Sequence, residues 1–159
     1  IIYTWNQLIK SGVHPAGLAA RDILRMEMAY CLYGNDIDET THPLEAGLSW
    51  ITAMDKGKFL GYDKIQEVKS SGLNRRLVAF SMDERGIPRS GYEIFHNDDK
   101  IGIVTSGTQS PVLNKGIGLA YVDLPFNQSG QKISVQIRNK RLNAVIIKPP
   151  FINKTSLHH

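Results

Sequence analysis

The chain has 159 residues, 42% of them hydrophobic, which is enough for one full domain or for one domain and part of another. The net charge of +4 is modest and the Lys and Arg residues are scattered, which argues against a nucleic-acid binding face. The single cysteine, Cys31, excludes an intrachain disulfide and a cysteine metal site, and no apolar run approaches the roughly 20 residues of a membrane-spanning helix. A slightly basic pocket would suit a polyanionic small molecule, and a solvated mixed surface explains the same charge equally well.

The first predicted element is a short helix over residues 3–11. Thr4 is its predicted N-cap, because a hydroxyl can accept a hydrogen bond from a free backbone amide. Trp5, Leu8 and Ile9 recur at helical spacing and form an apolar stripe. We expect this stripe to lie in the core rather than against a ligand.

A second helix is predicted over residues 21–30, where apolar side chains again recur every three to four residues. Asp22 is expected in its first turn, where the helix dipole favours a negative charge. Arg21, Arg25 and Glu27 are well placed for a partly buried ionic cluster. Such a cluster can bind an anionic ligand or hold the domain together, and we favour the second interpretation.

The polar loop at residues 35–42 contains three acidic residues, Asp36, Asp38 and Glu39. Their spacing resembles that of a loop with oxygen ligands for a metal. The loop lacks the glycine and the distal glutamate of a calcium site, however, so we predict a capped turn. Residues 44–54 then alternate imperfectly, which predicts a strand, and residues 62–70 have the pattern of a helix.

After residue 75 the pattern changes to short strands separated by turns rich in Gly, Asn and Pro. Residues 133–138 alternate strictly between apolar and polar, which indicates one dry face and one wet face. Repeated short strands of this kind predict an antiparallel barrel or sandwich. The predicted strands are 77–82, 92–95, 100–105, 118–122, 132–137 and 143–147.

The run Thr105-Ser106-Gly107-Thr108 could be taken for a phosphate cradle. It lacks the following lysine and does not open a helix, so a P-loop is rejected. Ser106 has no nucleophile elbow around it and the histidines are scattered, which also argues against a hydrolytic triad. We expect Ser106 and Ser110 to shape a tight loop at the rim of the barrel.

Several runs together resemble the aminomethyltransferase of the glycine cleavage system, the T-protein family. Residues 17–27 (GLAARDILRME) resemble the family pattern GLGARDxLRLE, and residues 32–50 (LYGNDIDETTHPLEAGLSW) resemble LYGxDIDExxxPxExxLxW. Residues 102–111 (GIVTSGTQSP) and 117–122 (IGLAYV) resemble two further motifs of the family. The likeness extends from Trp5 to about Phe151 and is far more specific than a lone glycine motif.

This resemblance implies an α+β chain that corresponds to the C-terminal portion of a T-protein. We expect residues 1–74 to be the end of a ferredoxin-like α/β lobe that binds folate, and residues 75–156 to be a small antiparallel β-barrel domain. Residues 157–159 resemble the remnant of an expression tag.

The family transfers a methylene group from the aminomethyl-lipoyl arm of H-protein to tetrahydrofolate and releases ammonia. The resemblance therefore implies H-protein and tetrahydrofolate as partners, no metal, no nucleic acid and no membrane.

Arg21 falls on the family's folate-contacting arginine, Tyr30 lies near the same pocket, and Trp50 could offer its ring to the ligand or equally belong to the core. The family's catalytic aspartate lies in the N-terminal half, so we expect no catalytic residue here and no activity from this portion by itself. Location is expected to be the bacterial cytoplasm, or the mitochondrial matrix in a eukaryote.

Two alternatives stay open. The same fold serves folate-dependent demethylases, although the matches at residues 32–39 and 107–111 favour the T-protein. A non-catalytic folate-binding or interaction module is the other alternative. Iron–sulfur assembly relatives of that kind carry a cysteine-containing KGCYxGQ run, whereas residues 58–62 here read KFLGY without cysteine.

Overall fold

The computed structural model describes residues 1–153, so the end of the predicted domain 75–156 and the expected tag at 157–159 lie outside the described residues. In the described part, three α-helices come first and six strands follow. The helices are α1 (Ile2–Lys10), α2 (Leu18–Glu27) and α3 (Tyr62–Ser71), with short 3₁₀-helices at Ser49–Ile51 and Met54–Lys56. The strands are β1 (Arg75–Met82), β2 (Glu93–His96), β3 (Asp99–Ser110), β4 (Lys115–Asp123), β5 (Lys132–Ile137) and β6 (Lys140–Ile147). None of the helices in residues 1–153 has the length and apolar character needed to cross a membrane.

The six strands close into an antiparallel barrel in the order β1-β4-β3-β2-β5-β6, and β6 pairs back onto β1. This confirms the prediction of an α+β chain with a small antiparallel barrel after the helices. Closure pairs each strand on both sides, which removes the exposed edges that an open sheet would leave. The ferredoxin-like character expected for residues 1–74 stays a prediction. That stretch holds the helices and an isolated parallel bridge between Tyr33 and Ile37.

Apolar side chains from all six strands fill the barrel interior. Phe80 is fully buried, and Gly118 on β4 stands opposite it in the β1–β4 register. A Cβ on Gly118 would lie 2.4 Å from the Phe80 ring, so the ring occupies the space that any larger residue would need. On β5, Ile133 and Val135 are buried, which confirms the dry face predicted from the alternation. The interior cluster contains Val78, Phe80, Met82, Ile94, Ile101, Val104, Ala120, Val122, Ile133, Val135, Ala144 and Ile146.

A second apolar cluster joins α2 to the outer side of the barrel. Met26 of α2 is fully buried, in a cluster with Ile117 and Leu119 of β4. Ala79 of β1 and Phe151 complete the cluster. Because residues 117 and 119 alternate along β4 with the interior residues 120 and 122, α2 covers the outer face of that strand.

Three local predictions in the helical part are wrong. No strand forms at residues 44–54, because Gly47 adopts φ +74 and turn hydrogen bonds such as Leu48 N–H to the Pro43 carbonyl (2.8 Å) close the backbone on itself. The N-cap of α1 is Ile1 rather than Thr4. The predicted core stripe of α1 is exposed: Trp5 is 53% accessible, and Leu8 and Ile9 are similarly open.

The helix α2 begins at Leu18, three residues earlier than predicted, so Asp22 lies in its second turn. It ends at Glu27 because Ala29 adopts a left-handed conformation with φ 56. Two hydrogen bonds stabilise this ending, from Ala29 N–H to the Met26 carbonyl and from Tyr30 N–H to the Arg25 carbonyl, each 2.8 Å. This pair of bonds is the Schellman pattern of helix ends, and it turns Tyr30 away from the helix.

Candidate functional site

Arg25, in the last turn of α2, connects the helical part of the chain to the barrel. Its guanidinium donates to Asp36 Oδ2 over 2.6 Å and to Ser106 Oγ over 2.9 Å. It also donates to Asp22 Oδ1 over 2.7 Å and to the Tyr30 carbonyl oxygen over 3.1 Å. With these donors engaged, Arg25 holds α2, the segment that follows it and β3 in one arrangement.

Asp36 is the buried partner of Arg25 and is only 1% exposed. Its carboxylate also accepts from the Leu32 N–H over 2.9 Å and from Thr105 Oγ1 over 2.5 Å. The Tyr121 hydroxyl donates to the Asp36 carbonyl oxygen over 3.0 Å. Burying a charge is costly unless it is paired and hydrogen-bonded, and Asp36 meets both conditions. Asp36 therefore serves the buried ion pair with Arg25, whereas the capped turn predicted for this loop is formed by Asp38, whose Oδ1 accepts from the Thr40 N–H over 2.8 Å.

A β-bulge in β3 explains how the barrel meets this acidic loop. The β3–β4 register shifts between Val104 and Ser106, while Val104 itself points into the barrel core. An extra residue in one strand lets two consecutive side chains reach the same side. Thr105 bonds to Asp36 and Ser106 bonds to Arg25 from this bulge. The expected tight loop at the rim is wrong for Ser106, which lies inside β3 and is buried. Ser110 instead ends β3, and its hydroxyl accepts from the Leu113 N–H over 3.0 Å in the turn that leads to β4.

Glu27 makes a second polar connection between α2 and the barrel. It is 2% exposed, and the hydroxyl of fully buried Ser110 donates to its Oε1 over 2.5 Å. The Glu27 carbonyl oxygen accepts from the Phe151 N–H over 3.0 Å. Arg25 and Glu27 thus bind separate residues of β3 and hold α2 to the barrel, but they form no ion pair with each other, so the predicted ionic cluster is wrong. Arg21 forms no ion pair within the described residues.

Arg75 and Glu45 form a third connection at the start of β1. The guanidinium donates to both Glu45 carboxylate oxygens, over 3.0 Å and 2.9 Å, and lies 4.4 Å from the centre of the Tyr121 ring. Burial by itself would raise the pKa of Glu45, but the hydrogen bonds from Arg75 and from the His42 N–H, together with the charge of Arg75, outweigh it and lower the pKa. Burial raises the pKa of Tyr121 to about 12, so its hydroxyl stays a hydrogen-bond donor at neutral pH.

The structure brings two of the three predicted folate contacts to one groove. Tyr30 is 58% exposed and Trp50 is 82% exposed, and both line a cavity of about 750 Å³ between the helical part and the barrel. Within residues 1–153, Trp50 lies outside the apolar clusters of the core. Arg21 is exposed on α2 but does not line this groove.

The groove has apolar walls and a positively charged edge. Leu77 and Ile147 contribute to its floor beside the two aromatic residues. Among the described residues, Arg76 and Lys148 are the charged side chains that line it, and no aspartate or glutamate does so. An arrangement of this kind favours a ligand with a flat apolar body and negative charge.

Cys31 also lines the groove, but as an unreactive thiol. Burial is the largest factor that raises its pKa, followed by the nearby Asp36 carboxylate, while Arg25 partly opposes them. A thiol with a raised pKa is a poor nucleophile at neutral pH, because the thiolate is the reactive form. This agrees with the interpretation of Cys31 as a structural residue.

Sequence reasoning missed the pairs that hold the groove in place. Asp36, Glu45 and Ser110 all lie within motifs that carried the family resemblance, so their positions were visible. Nothing in the local pattern revealed Arg25, Arg75 and Glu27 as their respective partners, because these are 11, 30 and 83 residues away in the chain.

Comparisons with known proteins extend over almost the whole described chain. The model of the glycine cleavage T-protein C-terminal barrel domain matches residues 75–153, and that of the GCVT N-terminal domain matches residues 2–56. The aminomethyltransferase of Halothermothrix orenii is 48% identical over 155 residues, which cover 95% of this chain and 43% of that protein. The aminomethyltransferase of Bacteroides fragilis is 51% identical over 153 residues, which cover 92% of this chain and 42% of that protein.

A solved structure has the same fold. The glycine cleavage system aminomethyltransferase T from Bartonella henselae superposes with a TM-score of 0.86 at 32% sequence identity, over 95% of this chain and 43% of that one. This chain therefore spans less than half the length of the relatives that it matches.

Proposed function

The chain belongs to the glycine cleavage T-protein family, and from that premise we propose that it is the C-terminal portion of a tetrahydrofolate-dependent aminomethyltransferase. The reaction moves the methylene group of an aminomethyl-lipoyl H-protein to tetrahydrofolate. The bonds from the methylene carbon to sulfur and to the amino nitrogen break, and bonds to two folate nitrogens form. Ammonia leaves, and the lipoyl sulfur takes up a proton.

The groove with Tyr30 and Trp50 is the observation that supports this proposal most directly. Both rings are accessible at its wall, and a folate presents flat aromatic groups that can pack against them. The cations at its edge complement the carboxylates of the glutamate tail. In this proposal the described part of the chain supplies one wall of the folate site.

Arg21, which lies on α2 outside this groove, is the third folate contact that the family resemblance proposes. It lies one helical turn before Arg25, whose guanidinium is committed to Asp36 and Ser106. A free guanidinium can pair bidentately with a carboxylate or present several donors, which a lysine could not copy. We assign no catalytic group to residues 1–153, and we expect activity to require the N-terminal portion that the relatives possess. The proposed setting is the cytoplasm of a bacterium, where lipoylated H-protein would be the partner.

Calorimetric titration of tetrahydrofolate into the full-length protein and its Arg21→Ala variant tests the proposal. Loss of one charged hydrogen-bonded contact should weaken binding by about 1.5–3 kcal/mol, roughly tenfold or more. Arg85→Ala is the matched control, because Arg85 is exposed and lies at a different cavity. Absence of folate binding, or of ammonia release from aminomethyl-lipoyl H-protein, would refute the proposal.

A further inference from the structure

We infer that the apolar face of α1 is a docking surface for the N-terminal portion that the relatives of this chain possess. The face consists of the α1 side chains Ile2, Trp5, Leu8 and Ile9. The partner surface is apolar and belongs to the same folding unit as residues 2–56. The inference depends on membership of the family and not on the proposed reaction, because it concerns how the two portions assemble.

The α1 face has the pattern of a core-facing helix but meets no core within residues 1–153. Its side chains recur three to four positions apart, so they lie on one side of the helix. Trp5 is 53% accessible and Ile9 is 41% accessible. Every residue from 1 to 20 is exposed, so no other part of the described chain covers this side of α1.

The length of α1 is the second argument. The helix has nine residues, its N-cap makes no side-chain hydrogen bond, and its first turn contains no acidic residue. Isolated helices shorter than about 12–15 residues are marginal in water, and most helices in proteins are stabilised by packing of their apolar face. A helix of this length without a side-chain cap and without a buried residue therefore requires a packing partner.

Residues 2–56 also lack a core of their own within the described chain. The buried residues of this stretch are Met26, Glu27, Asp36 and Ala46. Met26 packs against the barrel, and Glu27 and Asp36 form hydrogen bonds with β3. Burial in this stretch is thus directed towards the barrel, while the α1 face lies outside both apolar clusters. An amphipathic helix in a stretch without its own core belongs to a larger folding unit.

Family membership favours one occupant of the α1 face over a second copy of the chain. The match to the GCVT N-terminal domain includes all of α1, so the helix belongs to that domain. More than half of the Halothermothrix orenii relative lies outside the matched region, which is long enough to supply the missing core. A segment of the same polypeptide also meets the α1 face at a higher effective concentration than a separate molecule does.

Hydrogen exchange of the α1 amides, followed by mass spectrometry, tests the inference in residues 1–159 and in the full-length protein. In residues 1–159 we expect these amides to exchange rapidly, because the helix is short and unpacked. In the full-length protein we expect exchange to be slower by about tenfold or more, since burial of even one such side chain stabilises by at least that factor. The measurement uses neither folate nor H-protein, so its result is separate from that of the proposed function.

The variant is Leu8→Gln with Ile9→Gln, because glutamine is polar and has a high helix propensity. The matched control is Ile87→Gln with Val112→Gln, which changes two exposed apolar residues outside the strands of the barrel. In the full-length protein, the Leu8 and Ile9 variant should lose the protection of α1, whereas the control should keep it. Slow exchange of the β4 amides in both variants checks that the barrel remains folded.

Three results would overturn the inference. Equally rapid exchange of α1 in both proteins would mean that the N-terminal portion does not cover the α1 face. Protection that persists in the Leu8 and Ile9 variant would mean that other contacts hold the helix. Protection in residues 1–159 that increases with protein concentration would assign the α1 face to a second copy of the chain. Protection of α1 in a full-length protein that binds no folate would support the inference while the proposed function fails.

Discussion

The guanidinium of Arg25 and the hydroxyl of Ser106 lie 2.9 Å apart, although 81 residues separate them in the chain. This contact brings the last turn of α2 against the bulge of β3. Arg25 simultaneously holds the carbonyl oxygen of Tyr30, so the position of that ring depends on the barrel. One buried side chain thereby couples the barrel to a wall of the proposed folate groove.

Asp36→Asn should destabilise the fold strongly. The substitution leaves the guanidinium of Arg25 without its buried counter-charge, and breaking such a pair costs about 3 kcal/mol or more. Urea unfolding of residues 1–159, or of the full-length protein, measures this as a shift of the midpoint. Asp98→Asn is the matched control, because Asp98 pairs with Arg141 at the surface and is fully exposed. Equal stability of the two variants would contradict the role assigned to Asp36.

Ser110→Ala should destabilise the contact between α2 and β3. The Ser110 hydroxyl donates to the buried Glu27 carboxylate and accepts from the Leu113 N–H, and both groups would lose a partner. An unsatisfied buried polar group costs about 1–3 kcal/mol. Thermal unfolding compared with exposed Ser90→Ala provides the measurement. A variant as stable as that control would mean that Glu27 gains little from this hydrogen bond.

Gly118→Ala should destabilise the barrel by overpacking, by about 1–3 kcal/mol. The new methyl group would lie 2.4 Å from the Phe80 ring, which is fully buried and has no room to retreat. The double variant Gly118→Ala with Phe80→Leu should recover part of the lost stability, because leucine lacks the ring atoms that the new methyl group would meet. A double-mutant cycle measures this coupling, and additive effects would show that the clash is relieved elsewhere.

Stability should fall as pH rises through the titration of Tyr121. Burial raises the pKa of Tyr121 from 10.0 to about 12, so the folded state holds this proton more tightly than the unfolded state does. Its contribution is fully present below pH 10 and is lost as pH approaches 12. Tyr121→Phe should weaken this alkaline decline, and it removes one hydrogen bond to the Asp36 carbonyl oxygen at all pH values. Ultraviolet absorbance of tyrosinate during alkaline titration is the check, and a Tyr121 signal at the ordinary pKa would contradict it.

Much of the barrel was predictable because strand signals are local. The alternation at residues 133–138 and the turns between strands need only neighbours in sequence, and all six predicted strands are present. The boundaries were less predictable: β3 extends to Ser110 because its second half pairs with β4, a partner that no local pattern names. The prediction of a strand at residues 44–54 also used the local pattern alone. Their alternation is visible in the sequence. The tertiary structure, however, places a turn at Gly47 and, within the described residues, provides no neighbouring strand with which they could pair.

The sequence by itself determined the family and the six strands of the barrel, and it supplied the proposed folate contacts, because these depend on short motifs. Only the tertiary structure decided which charged residues are committed and which are free. Arg21 and Arg25 look equivalent along α2, and Arg75 and Arg76 are adjacent. In each pair, an ion pair with a carboxylate from another segment engages one arginine and leaves the other accessible. The physical reason is that electrostatic pairing depends on distance and burial in three dimensions, and both arise only when the barrel closes and α2 packs against it.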